Sequence, residues 1–276
     1  MATTDAETIR LQVKEHYGAA ARQVSGCCGS RTGHSVLDPD GAFGAGQYDD
    51  GQLAALPAAA TAASLGCGNP TMLATMEPGQ TVLDLGSGGG IDVILSARRV
   101  GADGFVYGLD MTPDMIQLAR RNLAEAGVQN AEILEGHLED IPLPGAAVDV
   151  IISNCVINLS PDKRRSLSEA FRVLRPGGLF AVSDVVLSRP LPPVAQELLG
   201  LWAGCVAGAL TADEYTRLLT EVGFVDIEVV PTIVHDRAAV AAFAASFDTS
   251  GITDPESLLD EMDGAVMNAF VRARRP

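Results

Sequence analysis

Positive charge is scarce in this chain: 19 lysines and arginines stand against 35 aspartates and glutamates, a formal net charge of −16. A protein that grips nucleic acid needs a basic face, because neutralising phosphates supplies most of the nonspecific affinity. The cluster Arg272-Ala-Arg-Arg275 reads as a solvated strand end, so nucleic acid is excluded as the expected substrate. A run of about eighteen apolar residues is also missing, and with it a membrane-spanning helix. The opening Met1-Ala-Thr-Thr-Asp-Ala-Glu7 lacks the basic start and apolar stretch of a secretory leader, and a cytoplasmic protein is expected. Aromatics make up only 5% against 47% hydrophobic residues, so the core must be aliphatic. The five cysteines, Cys27, Cys28, Cys67, Cys155 and Cys205, are odd in number and irregularly spaced, unlike a secreted disulfide framework. Without a Cys-x-x-Cys pair, local spacing suggests neither a zinc ribbon nor a thioredoxin-type redox site, and any shared thiol site must be assembled from distant segments.

What is present is organised around residue 80. Before it, residues 5–24 have Ile9, Val13 and Tyr17 near helical spacing, and a Gly-, Asp- and Pro-rich loop follows from Ser25-Gly-Cys-Cys-Gly-Ser30 to about Tyr48. Helices are expected over 51–65 and 71–76. After it, apolar strands alternate with amphipathic helices, the signature of a parallel doubly wound sheet. Strands are predicted at 81–85, 105–109, 131–135, 148–153, 179–186, 225–231 and 266–272, with helices at 91–100, 112–126, 161–174 and 212–222. Thr211-Ala-Asp-Glu214 has capping-box spacing. Three regions follow: helices and a cysteine-bearing loop over 1–78, an α/β core over 79–187, and a lid-like insertion with the final strands over 188–276.

Asp84-Leu-Gly-Ser-Gly-Gly-Gly90 follows a strand and opens a helix, the context that gives a glycine turn meaning. Glycines there permit positive φ and close backbone approach, and the N–H groups of the helix start face an anionic group. Ile91 stands where a dinucleotide fingerprint needs its last glycine. Acidic-x-G-x-G-x-G, carried by Asp84, Gly86 and Gly88, fits S-adenosylmethionine instead. Asp110, at the end of the second strand, can accept from both ribose hydroxyls or can cap the next helix. Met111 can pack on adenine. Leu138 and Glu139, with His137 before them, follow the third strand where the adenine amino group would sit.

Ligands of open α/β sheets lie beyond the carboxyl ends of the strands. Asn154 and Cys155 directly follow the fourth strand and so border the reactive end of the cofactor. A lone cysteine is usually inert packing. Cys67 sits between two glycines, however, and Cys205 lies in the lid region, so three thiols fall in segments expected at one edge of the sheet. Thiolates are soft ligands, and three of them suit a thiophilic trivalent element better than a hard cation. Zinc is disfavoured without a local pair or a nearby histidine. Cys27 and Cys28 could add a fourth thiol or could be exposed loop residues.

Four segments together resemble the arsenite S-adenosylmethionine methyltransferases: Ser64-Leu-Gly-Cys-Gly-Asn-Pro70, Asp84-Leu-Gly-Ser-Gly-Gly-Gly-Ile-Asp92, Ser153-Asn-Cys-Val-Ile-Asn-Leu-Ser160 and Trp202-Ala-Gly-Cys-Val-Ala-Gly-Ala-Leu210. The resemblance spans about residues 10–235. It implies a class I methyltransferase fold, Rossmann-like and doubly wound, with a mostly parallel seven-stranded sheet. It further implies that Cys67, Cys155 and Cys205 are the catalytic, As(III)-binding cysteines, with Cys155 and Cys205 its direct ligands. Cys27 or Cys28 would pair with Cys67 during turnover. Tyr48 stands where the family often has a tyrosine near the cofactor, and Gly68 and Asn69 are assigned to the cofactor as well. The implied reaction transfers the methyl of S-adenosylmethionine to arsenite. A disulfide formed in the cycle would be reopened by an external thiol reductant, thioredoxin or glutathione. Two alternatives remain at this point: a methyltransferase acting on a small quinone-like acceptor, and a non-catalytic As(III)-binding module.

Overall fold

The computed structural model describes residues 6–25, 48, 51, 53, 56–64, 66, 68–197, 206, 208–244, 252 and 254–276. Before the sheet come α1 (Ala6–Ser25), α2 (Ala58–Ala62) and α3 (Pro70–Leu73). The core then runs β1 (Thr81–Leu85), α4 (Ile91–Val100), β2 (Phe105–Asp110), α5 (Pro113–Glu125), β3 (Ala131–Glu135), β4 (Val148–Asn154), α6 (Lys163–Val173) and β5 (Leu174–Leu187). It continues through α7 (Pro193–Glu197), β6 (Leu210–Thr211), α8 (Ala212–Val222), β7 (Val225–Val234), α9 (Arg237–Ala244), α10 (Pro255–Met262) and β8 (Val266–Arg274).

Among the described residues the sheet has eight strands, in the order β3-β2-β1-β4-β5-β8-β7, with the two-residue β6 pairing β5. This corrects the expected seven: β6 is too short to leave a pattern in the sequence. The first five strands in that order are parallel, and β8 enters antiparallel between β5 and β7. The chain leaves β1 in one direction toward β2 and β3, then returns to place β4 on its other side. The crevice beyond the carboxyl ends of β1 and β4 is therefore the topological switch point, where such sheets bind ligands.

The central strands are apolar on both faces because helices cover both. Val82, Val150, Ile152 and Ala181 pack with Val93, Ile94, Ala97 and Ile116 from α4 and α5. Leu83, Leu85, Ile151, Phe180 and Val182 pack on the other side with Leu167 and Ala170 of α6 and Tyr215 and Leu219 of α8. Each such side chain, fully removed from water, stabilises the fold by roughly 1.5–3 kcal/mol before ordering costs. Thr211 and Glu214 complete the capping box of α8: the Glu214 N–H donates to the Thr211 hydroxyl at 3.2 Å, and the Thr211 N–H donates to the Glu214 carboxylate at 2.9 Å.

Several local expectations shift. Within the helix expected over 51–65, Gly51 and Leu53 are helical, Leu56 and Pro57 are not, and α2 follows; the helix expected over 71–76 is described as α3. Arg175-Pro-Gly-Gly178, read as a turn, is continuous with β5. Helices α9 and α10 had no counterpart in the sequence reading. They supply Val240, Leu258 and Met262 to the apolar cluster that also holds Cys155, Leu159, Val185 and Leu191. Residues after 236 thus help enclose Cys155 and, through β8, build the interior of the sheet.

Candidate active site

A cleft opens at the switch point, walled by the glycine loop, the ends of β2 and β4, and α1 from above. The loop hooks onto β2: the N–H groups of Gly86 and Ser87 both donate to the Leu109 carbonyl, at 2.8 and 2.9 Å. Gly86 has φ of 70°, and a Cβ there would lie 2.4 Å from a Val156 methyl. Both facts demand glycine, and the second lets the segment that follows Cys155 lie against the loop.

Asp110 ties the loop to the next turn. One carboxylate oxygen accepts the Gly88 N–H at 2.9 Å and the other the Thr112 N–H at 2.8 Å. Burial raises its pKa, and these amide donors partly offset that. Thr112, not Asp110, is the N-cap of α5. Asp92 lies one residue into α4, 5% exposed, and lines the cleft. Tyr48 donates its hydroxyl to this carboxylate, lying 2.9 Å from each oxygen. Burial pushes Asp92 up to about 7 despite that donor. The same burial, with Asp92 beside it, drives the Tyr48 phenol well above its usual range.

Asn154 ends β4 and Cys155 follows it. The Asn154 amide donates to the Tyr48 oxygen at 3.2 Å and to the Gly68 carbonyl at 2.6 Å. Cys155 is 4% exposed and adopts φ of 59°, the left-handed region that a non-glycine residue enters only when its surroundings fix it. Its N–H donates to the Ser183 carbonyl at 2.8 Å. The sulfur is in a disulfide whose partner lies outside the described residues, so the thiolate expected there is in its oxidised form. Across the cleft, Glu139 accepts the Ser160 hydroxyl at 2.7 Å and pairs with Arg10 of α1 at 3.5 Å.

Of the residues expected at the cofactor, Tyr48, Gly86, Gly88, Asp110, Met111, Leu138, Glu139 and Asn154 line the cleft, as does His137. Gly68, Asn69 and Asp84 do not. Asn69 is buried and accepts the Thr71 hydroxyl at 2.6 Å, an intrasegment contact at the start of α3. Asp84 is buried at the end of β1, its pKa driven well up by burial, Asp92 and Asp110 in that order. Cys27, Cys28, Cys67 and Cys205 lie outside the described residues, so Cys155 is the one expected thiol whose surroundings are described. Among the described residues no three His, Cys, Asp or Glu side chains converge as a metal site.

Sequence reasoning missed Asp92, Ser87 and Arg10. Asp92 did leave a signal, an acid in the first helical turn after a glycine loop, but that position ordinarily only complements the helix dipole. Arg10 left none, because its partner Glu139 is far away in sequence. The Arg10 Nε and the Ser87 hydroxyl are buried in the cleft wall with no hydrogen-bond partner among the described residues. Both face the cleft, where a bound ligand could supply the missing partner. The acids Asp92, Asp110 and Glu139 on the same walls suit a ligand bearing positive charge, and S-adenosylmethionine, with an ammonium and a sulfonium, fits them.

A doubly wound sheet, a glycine loop at its switch point and an acid at the end of β2 define a class I methyltransferase, and a family model described as a methyltransferase domain matches residues 76–223. The crystal structure of CrArsM, an arsenic(III) S-adenosylmethionine methyltransferase from Chlamydomonas reinhardtii, superposes with a TM-score of 0.64 at 34% identity, covering 82% of this chain and 72% of that one. The chain belongs to that arsenic(III) methyltransferase family. It is 43% identical over 239 residues to an arsenite methyltransferase of Halobacterium salinarum, and 38% identical over 152 residues to the human arsenite methyltransferase. Those matches cover 84% and 52% of this chain but only 61% and 40% of the two relatives, so the chain spans less than two thirds of their length. Among the described residues no helix is long and apolar enough to cross a membrane.

Proposed function

We propose that this protein methylates trivalent inorganic arsenic, using S-adenosylmethionine as methyl donor and cysteine thiolates to hold the arsenic. The observation that carries this reading is Cys155: a buried cysteine on left-handed backbone at the carboxyl end of β4, lining the cleft beside the glycine loop. Relatives named for arsenite methylation support the choice of acceptor over a quinone-like molecule or a non-catalytic binding module. S-adenosylmethionine supplies, when bound, an activated methyl on a sulfonium.

The residues of the chain do the rest by holding. Asp110 accepts from ribose hydroxyls, Met111 and Leu138 flank the adenine, and Asp92 and the glycine loop face the methionyl part. Cys155, once reduced, joins Cys67 and Cys205 in ligating As(III), with Cys27 or Cys28 engaged in the first step. Thiolate ligation leaves the arsenic lone pair as nucleophile, so no general base is required at the acceptor. Holding acceptor and donor as neighbours in the cleft supplies much of the rate. The disulfide at Cys155 supports a requirement for an external thiol reductant, such as thioredoxin or glutathione, before each turnover. The physiological outcome of this chemistry is arsenic detoxification.

The test is product speciation with arsenite, S-adenosylmethionine and thiol. Methylated arsenicals should form with the wild-type chain, and Cys155→Ser should reduce turnover at least a hundredfold while S-adenosylmethionine still binds, because a hydroxyl is a poor ligand for a thiophilic element. Near-normal turnover in Cys155→Ser would overturn the thiol site; no methylated product from the wild type would overturn the reading itself.

A further inference from the structure

Gly66 and Gly68 flank Cys67, and neither has the positive φ that would explain a glycine. Space explains both. A Cβ on Gly66 would fall 2.2 Å from the Asn154 side chain, and one on Gly68 would fall 2.0 Å from the Ser183 hydroxyl and 2.8 Å from its Cβ. Asn154 and Ser183 are themselves direct register partners across β4 and β5. The contact at Asn154 is also bonded in both directions. Its side-chain oxygen accepts the Gly68 N–H at 3.2 Å, and its side-chain nitrogen donates to the Gly68 carbonyl at 2.6 Å, so the amide acts toward Gly68 as a strand partner would. Ser183, whose side chain abuts Gly68, also accepts the Cys155 N–H through its carbonyl.

We infer that the cross-strand pair Asn154–Ser183 is a positioning element that fixes the backbone of Gly66 and Gly68, the two neighbours of Cys67 in the chain, relative to Cys155. The inference rests on the reading that the two thiols act together on arsenic. Two segments distant in sequence are referenced to the same two residues, so their separation is set by the sheet. Asn154 extends the same frame to the cofactor cleft, because its second amide hydrogen serves the Tyr48 hydroxyl that donates to Asp92. The pair touches the sulfur-bearing segments and not arsenic itself: these are positioning residues.

A two-thiol chain tests this without relying on activity. Cys27, Cys28 and Cys205 are replaced by Ser in the full-length protein, the remaining two thiols are reduced, and dibromobimane, which fluoresces once both arms have alkylated sulfur, reports their bridging. The parent should bridge rapidly. Asn154→Ala, which removes the clamp, and Gly68→Ala, whose new methyl would collide with Ser183, should each slow bridging about tenfold or more. Single alkylation by iodoacetamide should change less than threefold, and circular dichroism should confirm folding. Adding Ser183→Gly to Gly68→Ala frees the space again and should restore bridging to within threefold of the parent. Should Gly68→Ala fail to fold, Asn154→Ala carries the test alone. Bridging at the parent rate in Asn154→Ala, no rescue by Ser183→Gly, or no bridging in the parent would each overturn the inference. Rapid bridging and rescue in a protein whose five-cysteine form does not methylate arsenite would support it while sinking the proposed activity.

Discussion

Two aspartates in this molecule have almost the same private chemistry and opposite fates. Asp92 and Asp184 are both buried, both are held up to about 7 chiefly by burial, and each accepts a hydrogen bond from a buried tyrosine, Tyr48 and Tyr215 respectively. Asp92 lines the cleft. Asp184 is sealed in the core beneath it, where it also accepts the Asn158 amide at 2.9 Å and the Val185 N–H at 3.1 Å. Asn158 lies in the single helical turn Ile157–Leu159 that follows Cys155, so Asp184 braces the cysteine segment from below while Asp92 faces the ligand. The difference teaches that a perturbed acid marks a functional site only when something can reach it; the same shift in a sealed position is a structural brace.

Crossing the two residues is the strongest way to break this contrast. Asp184→Ala leaves the Tyr215 hydroxyl and one of the two Asn158 amide hydrogens without an acceptor, and at about 1–3 kcal/mol for each stranded donor it should lower unfolding free energy by roughly 3 kcal/mol. Its affinity for S-adenosylmethionine, measured by calorimetry below the unfolding transition, should stay within about threefold of wild type. Asp92→Ala should reverse the balance, weakening the cofactor by roughly 30-fold, the equivalent of one charge-assisted contact of about 2 kcal/mol, with a smaller loss of stability of about 1 kcal/mol for the Tyr48 hydroxyl it strands. If the two variants lose stability and affinity in equal measure, the division between brace and ligand group is wrong.

Acidity sharpens the contrast at the next level. An unfolded aspartate releases its proton near 3.9, whereas these folded ones hold theirs to about 7. The folded state therefore binds more protons between those values, so this contribution to stability is complete below about pH 4 and lost as pH rises through 7. The ligand-free protein should melt at lower temperature at pH 8 than at pH 5. Asp184→Asn should flatten part of that slope with or without cofactor. Asp92→Asn should instead remove a rise in S-adenosylmethionine affinity toward pH 7, since only the ionised Asp92 attracts the cationic ligand. Identical pH profiles for the two asparagine variants would contradict this.

The smallest effects come from the tyrosines. Tyr215→Phe deletes a 3.3 Å hydrogen bond and should cost about 1 kcal/mol of stability without touching cofactor affinity. Tyr48→Phe should lower cofactor affinity a few-fold and, through Asn154, slow turnover. A Tyr48→Phe variant that loses only stability would place Tyr48 with the braces.

Much of the parallel half was legible because its signals are local. The glycine turn between a strand and a helix, the apolar strands at 81–85 and 131–135, and the ends of α8 were all readable within a window of a dozen residues, and all three stand in the structure. Cys155 could be placed at the cleft from the fourth strand alone. What escaped depends on partners far apart in the chain. Asp92 looks like an ordinary first-turn acid until Tyr48 is laid on it. Arg10 gains meaning only with Glu139 opposite. The alanine-rich α9 carries little contrast between its faces, and α10 is two turns long, so neither announces itself although Asp254 caps α10 through the Ser257 N–H. The position of β8 inside the sheet is a matter of topology, which no local period encodes.

That position of β8 has a consequence for how the molecule is made. β5 pairs along its whole inner run with β8, from Leu179 opposite Arg274 to Leu187 opposite Val266, and among the described residues β7 reaches the sheet only through β8. Roughly eighty residues separate β5 from β8, so at about 5–20 residues per second a nascent chain waits on the order of 4–16 seconds between them. During that interval β5 presents a bare, apolar edge, the kind that recruits a strand from any neighbour. The long, strongly hydrophobic β5 thus makes translation speed itself a determinant of yield: slowing between codons 188 and 265 should raise aggregation, and a chain released before 266 should be degraded or precipitate and not accumulate as a partly folded enzyme.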